Sequence, residues 1–236
     1  MKRGKNYQQK AELIAKGQTY SPEEAVRLAK KCAFAKFDET VELHVRTGLD
    51  PRNAEQQLRG TALLPHGLGK TMRILVFAEG EAARAAEEAG ALHVGGDELI
   101  KKVEDGWTNF DVALAQRELM GKVGRLGRIL GPRGLMPNPR AGTVVDGADI
   151  AKAVDDAAQG RVEFRLDRTS ILHVPIGKAS FDESKLLENL AMLVQEVQKA
   201  RPSGGKGQFV RSMTLTTTMG PGIPLDIAPT LALTAN

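Results

Sequence analysis

The chain has 236 residues, of which 42% are hydrophobic and 4% aromatic, and a formal net charge of +4. Its single cysteine, Cys32, excludes an intramolecular disulfide and a thiolate metal site, and no run approaches the roughly 20 apolar residues of a membrane span. The start of the chain is basic and polar, without the apolar segment of a secretory signal. We therefore expect a cytoplasmic protein that meets no membrane.

The first 36 residues are strongly basic, which favours a polyanionic partner at this end of the chain. A solubilising amphipathic face explains the charge alone equally well. The basic side chains are Lys2, Arg3, Lys5, Lys10, Lys16, Arg27, Lys30, Lys31 and Lys36, and they face only the acidic Glu12, Glu23 and Glu24. A basic helix is predicted near 5–16, and Ser21-Pro22-Glu23-Glu24 predicts a second helix that begins with a capping box.

Residues 37–47 alternate between apolar and polar side chains, which is typical of a half-buried strand. The first face carries Phe37, Val41, Leu43 and Val45, and the second carries Thr40, Glu42, His44 and Arg46.

The middle of the chain has a different pattern. Short apolar strands are predicted at 73–78 and 110–114, and helices at 81–89, 97–103 and 149–158. Short apolar strands that alternate with helices indicate a parallel, doubly wound α/β unit.

The segment from Gly124 to Arg140 is dense in glycine, proline and arginine and has no acidic residue. Such a segment is poorly suited to a core, and its arginines suit contact with phosphate or another macromolecule. Its Gly131-Pro132-Arg133-Gly134 stretch fits the GxxG loop of KH nucleic-acid-binding modules, although two fixed positions make a weak motif.

The last third returns to half-buried strands, predicted at 161–167, 171–177 and 209–218. A capping box at Ser180-Phe181-Asp182-Glu183 predicts a helix that runs to about Lys199. The polar side chains of the final strand share one face: Ser212, Thr214, Thr216 and Thr218.

The two ends of the chain share a pattern of half-buried strands that the middle lacks. We therefore predict an α/β protein with one discontinuous domain and one insertion. The discontinuous domain is a two-layer α/β sandwich made of residues 1–68 and 159–236, and the insertion, 69–158, is a Rossmann-like three-layer α/β domain. Its two crossings carry glycines that would act as a hinge: Gly67, Gly69 and Gly160.

No motif in the sequence indicates a catalytic site. Gly69-Lys70-Thr71 resembles the end of a P-loop, but the first glycine is replaced by Leu64 and a strand follows where a helix is required. The four histidines, His44, His66, His93 and His173, show no metal-ligand spacing. We therefore expect a non-enzyme without cofactor or metal, with a nucleotide-dependent enzyme and a protein–protein scaffold as alternatives.

The polar faces of the outer strands suit RNA better. Thr40, Ser212 and Thr218 offer hydroxyls, and the carboxylate of Glu42 can accept a hydrogen bond from a ribose 2′-hydroxyl. Lys36 can meet a phosphate, and Met219-Gly220 combines an apolar contact with room for close approach. An ordinary solvated sheet face is the competing interpretation.

Several long motifs together resemble the bacterial large-subunit ribosomal proteins that form the mobile stalk beside the tRNA exit site, the first-numbered in the large-subunit series. The matching stretches are Ala35–Glu42, Leu64–Lys70, Gly124–Arg140, Ile176–Phe181 and Thr216–Gly222. They follow one another in a single register to about Ile223.

The resemblance implies a split α/β domain with the main RNA site and an inserted Rossmann-like domain. It implies RNA contacts at Lys36, Phe37, Thr40, Glu42, Ser212, Thr218, Met219 and Gly220, to which we add Arg165 on a neighbouring strand. Strand parity, however, groups Phe37 with the core residue Val41. A secondary RNA or tRNA surface is expected at Arg125, Arg128, Arg133 and Arg140, with a purely structural turn as the alternative.

The implied partners are large-subunit rRNA, the tRNA of the exit site and the mRNA of the protein's own operon. The implied roles are assembly into the large ribosomal subunit, release of deacylated tRNA and repression of its own translation. We expect the protein to be cytoplasmic and ribosome-associated, and a monomer when free. A KH-like module outside the ribosome is the alternative.

Overall fold

A computed structural model describes residues 4–202, 204 and 207–234, with the side chain of Arg140 left out. Lys2 and Arg3 of the basic N-terminus lie outside this part. The described chain forms two compact units: the first reaches Gly69 and resumes at Val162, and the second runs from Lys70 to Arg161. The helices and strands, in chain order, are α1 Lys5–Ala11, α2 Pro22–Cys32, β1 Thr40–Thr47, β2 Arg59–Leu63, β3 Ile74–Phe77, α3 Glu81–Glu88, β4 His93–Gly95, α4 Asp97–Glu104, β5 Val112–Gln116, α5 Met120–Val123, α6 Gly127–Leu130, β6 Val144–Val145, α7 Ile150–Ala158, β7 Arg161–Arg165, β8 Ile171–Lys178, α8 Glu183–Lys199, β9 Val210–Thr217, β10 Ile223–Leu225 and α9 Ile227–Leu231.

The first unit is built on a four-stranded sheet in the order β10-β9-β1-β8, in which all neighbours are antiparallel. The strands β2 and β7 form a separate two-stranded sheet. Helices α2 and α8 pack against one face of the larger sheet and share one hydrophobic core with it. Only one of its faces is thus covered by helices, which makes a two-layer sandwich.

The burial of β1 follows the predicted alternation. Val41, Leu43 and Val45 are fully buried, while Glu42 and His44 on the opposite face are partly exposed. The same alternation holds in β9, where Met213 and Leu215 are buried and Ser212, Thr214 and Thr216 point outward. The outer face of this sheet is therefore polar and accessible.

One of the two predicted capping boxes exists. The backbone N–H of Glu24 donates to the Ser21 hydroxyl at 3.3 Å, and the Glu24 carboxylate accepts the Ser21 N–H. The prediction at Ser180 is wrong. Its hydroxyl and N–H both donate to the carboxylate of Asp38, so α8 begins at Glu183 behind Asp182, whose side chain makes no cap.

The second unit contains a parallel sheet in the order β4-β3-β5-β6. All four residues of β3 are buried, because one cluster of side chains covers each face. Helices α3 and α7 contribute one cluster, and α4 with residues 119–136 contributes the other. The unit therefore has three layers, and the predicted α/β fold class is confirmed.

The expectation that the segment from Gly124 to Arg140 is unsuited to a core is wrong. The segment forms a chain of short helical turns that includes α6, and it buries Leu126 and Leu130 completely. Its apolar residues recur at helical spacing, so one side of the segment completes the core of the second unit, while Arg125, Arg128 and Arg133 are exposed.

Candidate RNA-binding surface

Two segments that are far apart in the sequence meet at one end of the first unit. We call them the loop junction: residues 34–40, which lead into β1, and residues 217–220, which leave β9. The N–H of Thr40 donates to the Thr218 hydroxyl at 3.0 Å, and the N–H of Thr218 donates to the Thr40 carbonyl at 3.1 Å. They meet because β1 and β9 are antiparallel neighbours, so one begins where the other ends.

A buried carboxylate connects the two halves of the loop junction. The side chain of Glu39 accepts the N–H groups of Phe34 and Ala35 at 2.7 Å each and that of Met219 at 3.0 Å. Burial alone would raise the pKa of this carboxyl, but the hydrogen bonds from these N–H groups and from the Thr217 side chain together outweigh it, so the net pKa is lowered. Glu39 is therefore ionised at neutral pH. Composition and periodicity gave no signal for this role.

The loop junction exposes two large apolar side chains, Phe37 at 57% and Met219 at 50%. Strand parity is therefore misleading for Phe37. The regular strand begins at Thr40, and residues 35–37 form a bend that turns the ring outward. Exposed aromatic and thioether groups beside polar backbone offer a stacking and packing surface for bases and sugars.

Two cationic side chains, Lys36 and Lys178, lie at the loop junction. Lys36 is exposed, and the ammonium of Lys178 donates to the Thr40 hydroxyl at 2.8 Å. Lys178 was not among the predicted contacts. Its position follows from the pairing of Thr40 with Lys178 across β1 and β8.

Gly220 lies where a side chain would not fit. A Cβ at this position would overlap the hydroxyl oxygen of Thr217. The carbonyl of Gly220 accepts a hydrogen bond from the Thr216 hydroxyl at 3.3 Å. The loop after β9 is thus held close to its own strand.

The other predicted RNA contacts are not part of the loop junction. Glu42 is on the outer sheet face, opposite Thr216. Ser212 lies at the far end of β9 opposite Arg46, six residues from Thr218, which corresponds to about 20 Å of strand. Arg165 is exposed at the end of β7 in the two-stranded sheet.

The outer sheet face also holds a histidine pair that spacing along the chain could not reveal. His44 and His173 are directly paired across β1 and β8, with their Nδ1 atoms 2.7 Å apart. Burial and then the neighbouring His173 lower the pKa of His44, and Glu42 only partly offsets them. Among the described residues no group of three or more His, Cys, Asp or Glu side chains could hold a metal ion.

In the second unit the arginines of the expected secondary surface are exposed at Arg125, Arg128 and Arg133, and the guanidinium of Arg133 donates to the Thr108 hydroxyl. The side chain of Arg140 lies outside the described part. The stretch from Gly131 to Gly134 follows the four-residue α6, and no helix follows it directly. It therefore lacks the second helix of a KH loop.

The structure supports the rejection of a P-loop. Lys70 pairs with Asp111 at 2.7 Å, and the strand β3 follows. A hydrogen bond from Arg73, together with those from Lys70, holds the pKa of the Asp111 carboxyl far below its usual range, against the effect of burial. Lys70 is thus engaged in an internal ion pair.

The three predicted hinge glycines all have left-handed backbones, with φ of 61° at Gly67, 69° at Gly69 and 101° at Gly160. A Cβ at Gly69 would also come within 2.7 Å of the Phe181 ring. Glycine is required at these positions for local geometry.

None of the described helices is long and apolar enough to cross a membrane.

A family model described as the ribosomal protein L1p/L10e family matches residues 29–221. Proteins named large ribosomal subunit protein uL1 match almost end to end. That of Dehalococcoides mccartyi is 55% identical over 230 residues, 98% of this chain and 97% of that protein. Those of Thermobifida fusca and Beutenbergia cavernae are 56% identical over 226 residues (96% and 95% covered) and 57% identical over 230 residues (98% and 96% covered). The family match includes both halves of the loop junction.

Proposed function

The chain belongs to the ribosomal protein L1p/L10e family, and on that premise we propose that it binds large-subunit rRNA through the loop junction of its first unit. It is a ribosomal protein of the large subunit and not an enzyme. As a ribosome-associated protein it acts in the cytoplasm, and it is a monomer when free.

The observation that carries the proposal is the meeting of Thr40 with Thr218 beside the exposed Phe37 and Met219. Phe37 can stack on a base, and Met219 can pack against a base or a sugar. The charge of Lys36 can neutralise a phosphate, and this contribution to affinity weakens as salt rises.

The polar groups supply selectivity for RNA. The side chain of Glu42 is 38% exposed on the outer sheet face, and its carboxylate can accept a hydrogen bond from the 2′-hydroxyl that DNA lacks. The hydroxyls of Thr40 and Thr218 are already bonded within the protein, so their main contribution is to fix the shape that the RNA meets.

We propose two finer roles on the same premise. While the first unit holds rRNA, the inserted unit moves about the hinge glycines Gly67, Gly69 and Gly160. Its exposed arginines then guide deacylated tRNA out of the exit site. An mRNA structure similar to the rRNA site competes for the loop junction, and the free protein thereby represses its own translation.

The test of rRNA binding is a filter-binding titration of the full chain with purified large-subunit rRNA, with small-subunit rRNA as the control. We expect preferential binding of the large-subunit RNA. RNA recovered with the tagged protein from cell lysate and then sequenced should contain the same region, together with the leader of the protein's own mRNA. Equal affinity for both rRNAs would contradict the proposal.

A second experiment assigns the site to a unit. The first unit has a hydrophobic core of its own, so residues 70–157 can be replaced by a short linker. We expect the shortened chain to bind large-subunit rRNA as the full chain does. Loss of binding by a folded shortened chain would place the main site in the inserted unit.

A further inference from the structure

Glu39 is unusual among the described residues because it is the charged member of the buried polar set, with only 1% of its surface exposed. A buried carboxylate is costly unless its oxygens are hydrogen-bonded. No Lys or Arg of the described chain forms an ion pair with Glu39 within 4.0 Å. Its charge is instead stabilised by three backbone N–H groups, to which the Thr217 side chain adds a further hydrogen bond.

The division of those bonds between its two oxygens is informative. One oxygen, Oε1, accepts from Phe34 and Ala35, directly before Lys36 and Phe37. The other, Oε2, accepts from Met219. One carboxylate thus spans both halves of the loop junction, and each oxygen serves one half.

The backbone of Glu39 adds a third connection. Its carbonyl accepts the N–H of Ala179 at 2.8 Å, which ties the same residue to the end of β8, where Lys178 lies. Each of the three segments that supply the loop junction and its cations is therefore fixed to Glu39.

We propose that Glu39 is the positioning residue of the RNA-binding surface: its carboxylate sets the separation of the Phe37 and Met219 loops without touching RNA. The inference rests on the proposed RNA-binding function and names a residue beyond the contacts expected from the sequence. A buried group cannot meet the RNA itself, so its effect must pass through the two loops.

The chemistry of the carboxylate makes the proposal specific. Three N–H donors converge on Glu39, and a glutamine of the same shape has one acceptor oxygen and an NH₂ group that would face a donor. Glu39→Gln therefore preserves size but releases one loop. Glu39→Asp preserves charge but is one methylene shorter, so it reaches one loop and not both.

The experiment uses full-length protein and purified large-subunit rRNA, at a temperature where thermal melts show each variant to be folded. We expect Glu39→Gln to bind about tenfold or more weakly, in line with the loss of a buried hydrogen-bond partner. Glu39→Asp should keep its fold, and its affinity for rRNA should lie between that of the unaltered chain and that of Glu39→Gln.

The matched control is Asp167→Asn. The carboxylate of Asp167 also accepts two backbone N–H groups, from Thr169 at 2.8 Å and Ile171 at 2.7 Å, but it lies beyond the opposite end of β8. The same loss of charge there should leave rRNA affinity within about twofold, since a substitution far from the binding surface does not couple to it.

Two further measurements separate positioning from general stability. Amide hydrogen exchange of the free Glu39→Gln variant should accelerate at Phe34, Ala35 and Met219 while the sheet core stays protected. In a double-mutant cycle, the combined loss of affinity for Glu39→Gln with Met219→Ala should be smaller than the sum of the two.

The outcomes distinguish this inference from the proposed function. If the unaltered chain does not bind large-subunit rRNA, the proposed function is wrong, and with it the role of Glu39 in that function. If the unaltered chain binds and Glu39→Gln binds equally well, or if the three amides exchange as before, the inference about Glu39 alone is overturned.

Discussion

The two four-stranded sheets of this protein bury their strands in different ways. In the first unit β1 alternates buried and exposed residues, whereas in the second unit all four residues of β3 are buried. The antiparallel sheet is covered on one face, and the parallel sheet on both. A half-covered sheet can offer its own strands and strand ends to a ligand, whereas a fully covered sheet can offer only its loops and the helices around it. Accordingly, most RNA contacts predicted in the first unit lie on strands or strand ends, whereas those predicted in the second unit lie in the turns and short helices of residues 124–140.

The largest expected effect tests whether the two units act separately. Phe77 is fully buried in β3, and Phe77→Ala should destabilise the second unit by about 3–5 kcal/mol. Urea unfolding followed by fluorescence of Trp107, the single tryptophan, reports on this unit. Affinity for large-subunit rRNA should stay within about threefold.

The comparison variant is Leu43→Ala, which opens a cavity at a fully buried position of β1. It should cost about 2–5 kcal/mol in the first unit and weaken rRNA binding as well. If Phe77→Ala abolished rRNA binding while Leu43→Ala did not, the assignment of the site to the first unit would be reversed.

The second prediction concerns the loop junction itself. Thr218→Ala removes the acceptor of the Thr40 N–H, and Met219→Ala removes an exposed packing surface. Each change should weaken rRNA binding by roughly 1–3 kcal/mol in a filter-binding titration. Thr218→Ser and Met219→Leu keep the relevant groups and should bind nearly normally. Unchanged affinity for both alanine variants, with circular dichroism intact, would remove these residues from the site.

The third prediction uses the acid dependence of the second unit. The pKa of Asp111 is lower in the folded than in the unfolded chain, so the stabilisation it provides is present above the unfolded value of about 4 and is lost as the pH falls further. Because Lys70 and Arg73 are about half exposed, we expect Asp111→Asn to cost only about 1 kcal/mol at pH 7. Trp107 fluorescence in urea should show this difference at pH 7 and a much smaller one near pH 2.

The exposed pair of Arg117 with Asp146 provides the control in the same unit. Asp146→Asn should leave unfolding at pH 7 unchanged, since an exposed ion pair contributes little. An equal effect of the two substitutions would show that the pairing of Asp111 has no special weight.

The smallest effect concerns the exposed arginines of the second unit. If Arg125 and Arg128 meet phosphates, each change to glutamine should lower the log–log salt slope for deacylated tRNA by somewhat under about one. Arg84 is also exposed on α3, on the other side of the parallel sheet, and Arg84→Gln should not change the slope. Equal slopes for all variants would favour the structural-turn interpretation of the segment.

Local patterns predicted much of the fold. The alternation in β1 and the capping box at Ser21 are both present, because each depends on residues within a few positions of one another. Of the predictions that failed, one did so because of a distant partner and another because of a local bend. Ser180 does not cap α8 because Asp38 takes its hydroxyl, and Phe37 leaves the strand face because the bend before Thr40 interrupts the period.

The candidate site shows the same division. The sequence and the family motifs predicted Thr40 and Thr218 as parts of one surface, and the structure shows them hydrogen-bonded to each other. Neither pattern nor spacing indicated Glu39, whose partners Phe34 and Met219 lie on both sides of the junction. A carboxylate next to a strand has no sequence signature for burial, because one of the donors that make burial tolerable, the N–H of Met219, comes from a distant segment.

The sequence by itself determined the periodicity of the strands, the change of pattern between the ends and the middle, and the family. These depend on neighbouring residues or on long runs of identity. Only the tertiary structure decided which strands pair, and therefore that His44 lies against His173, that Lys178 reaches Thr40, and that Glu39 holds two loops. Pairing is a long-range event: its register decides which polar groups meet, and that choice cannot be read from either strand alone.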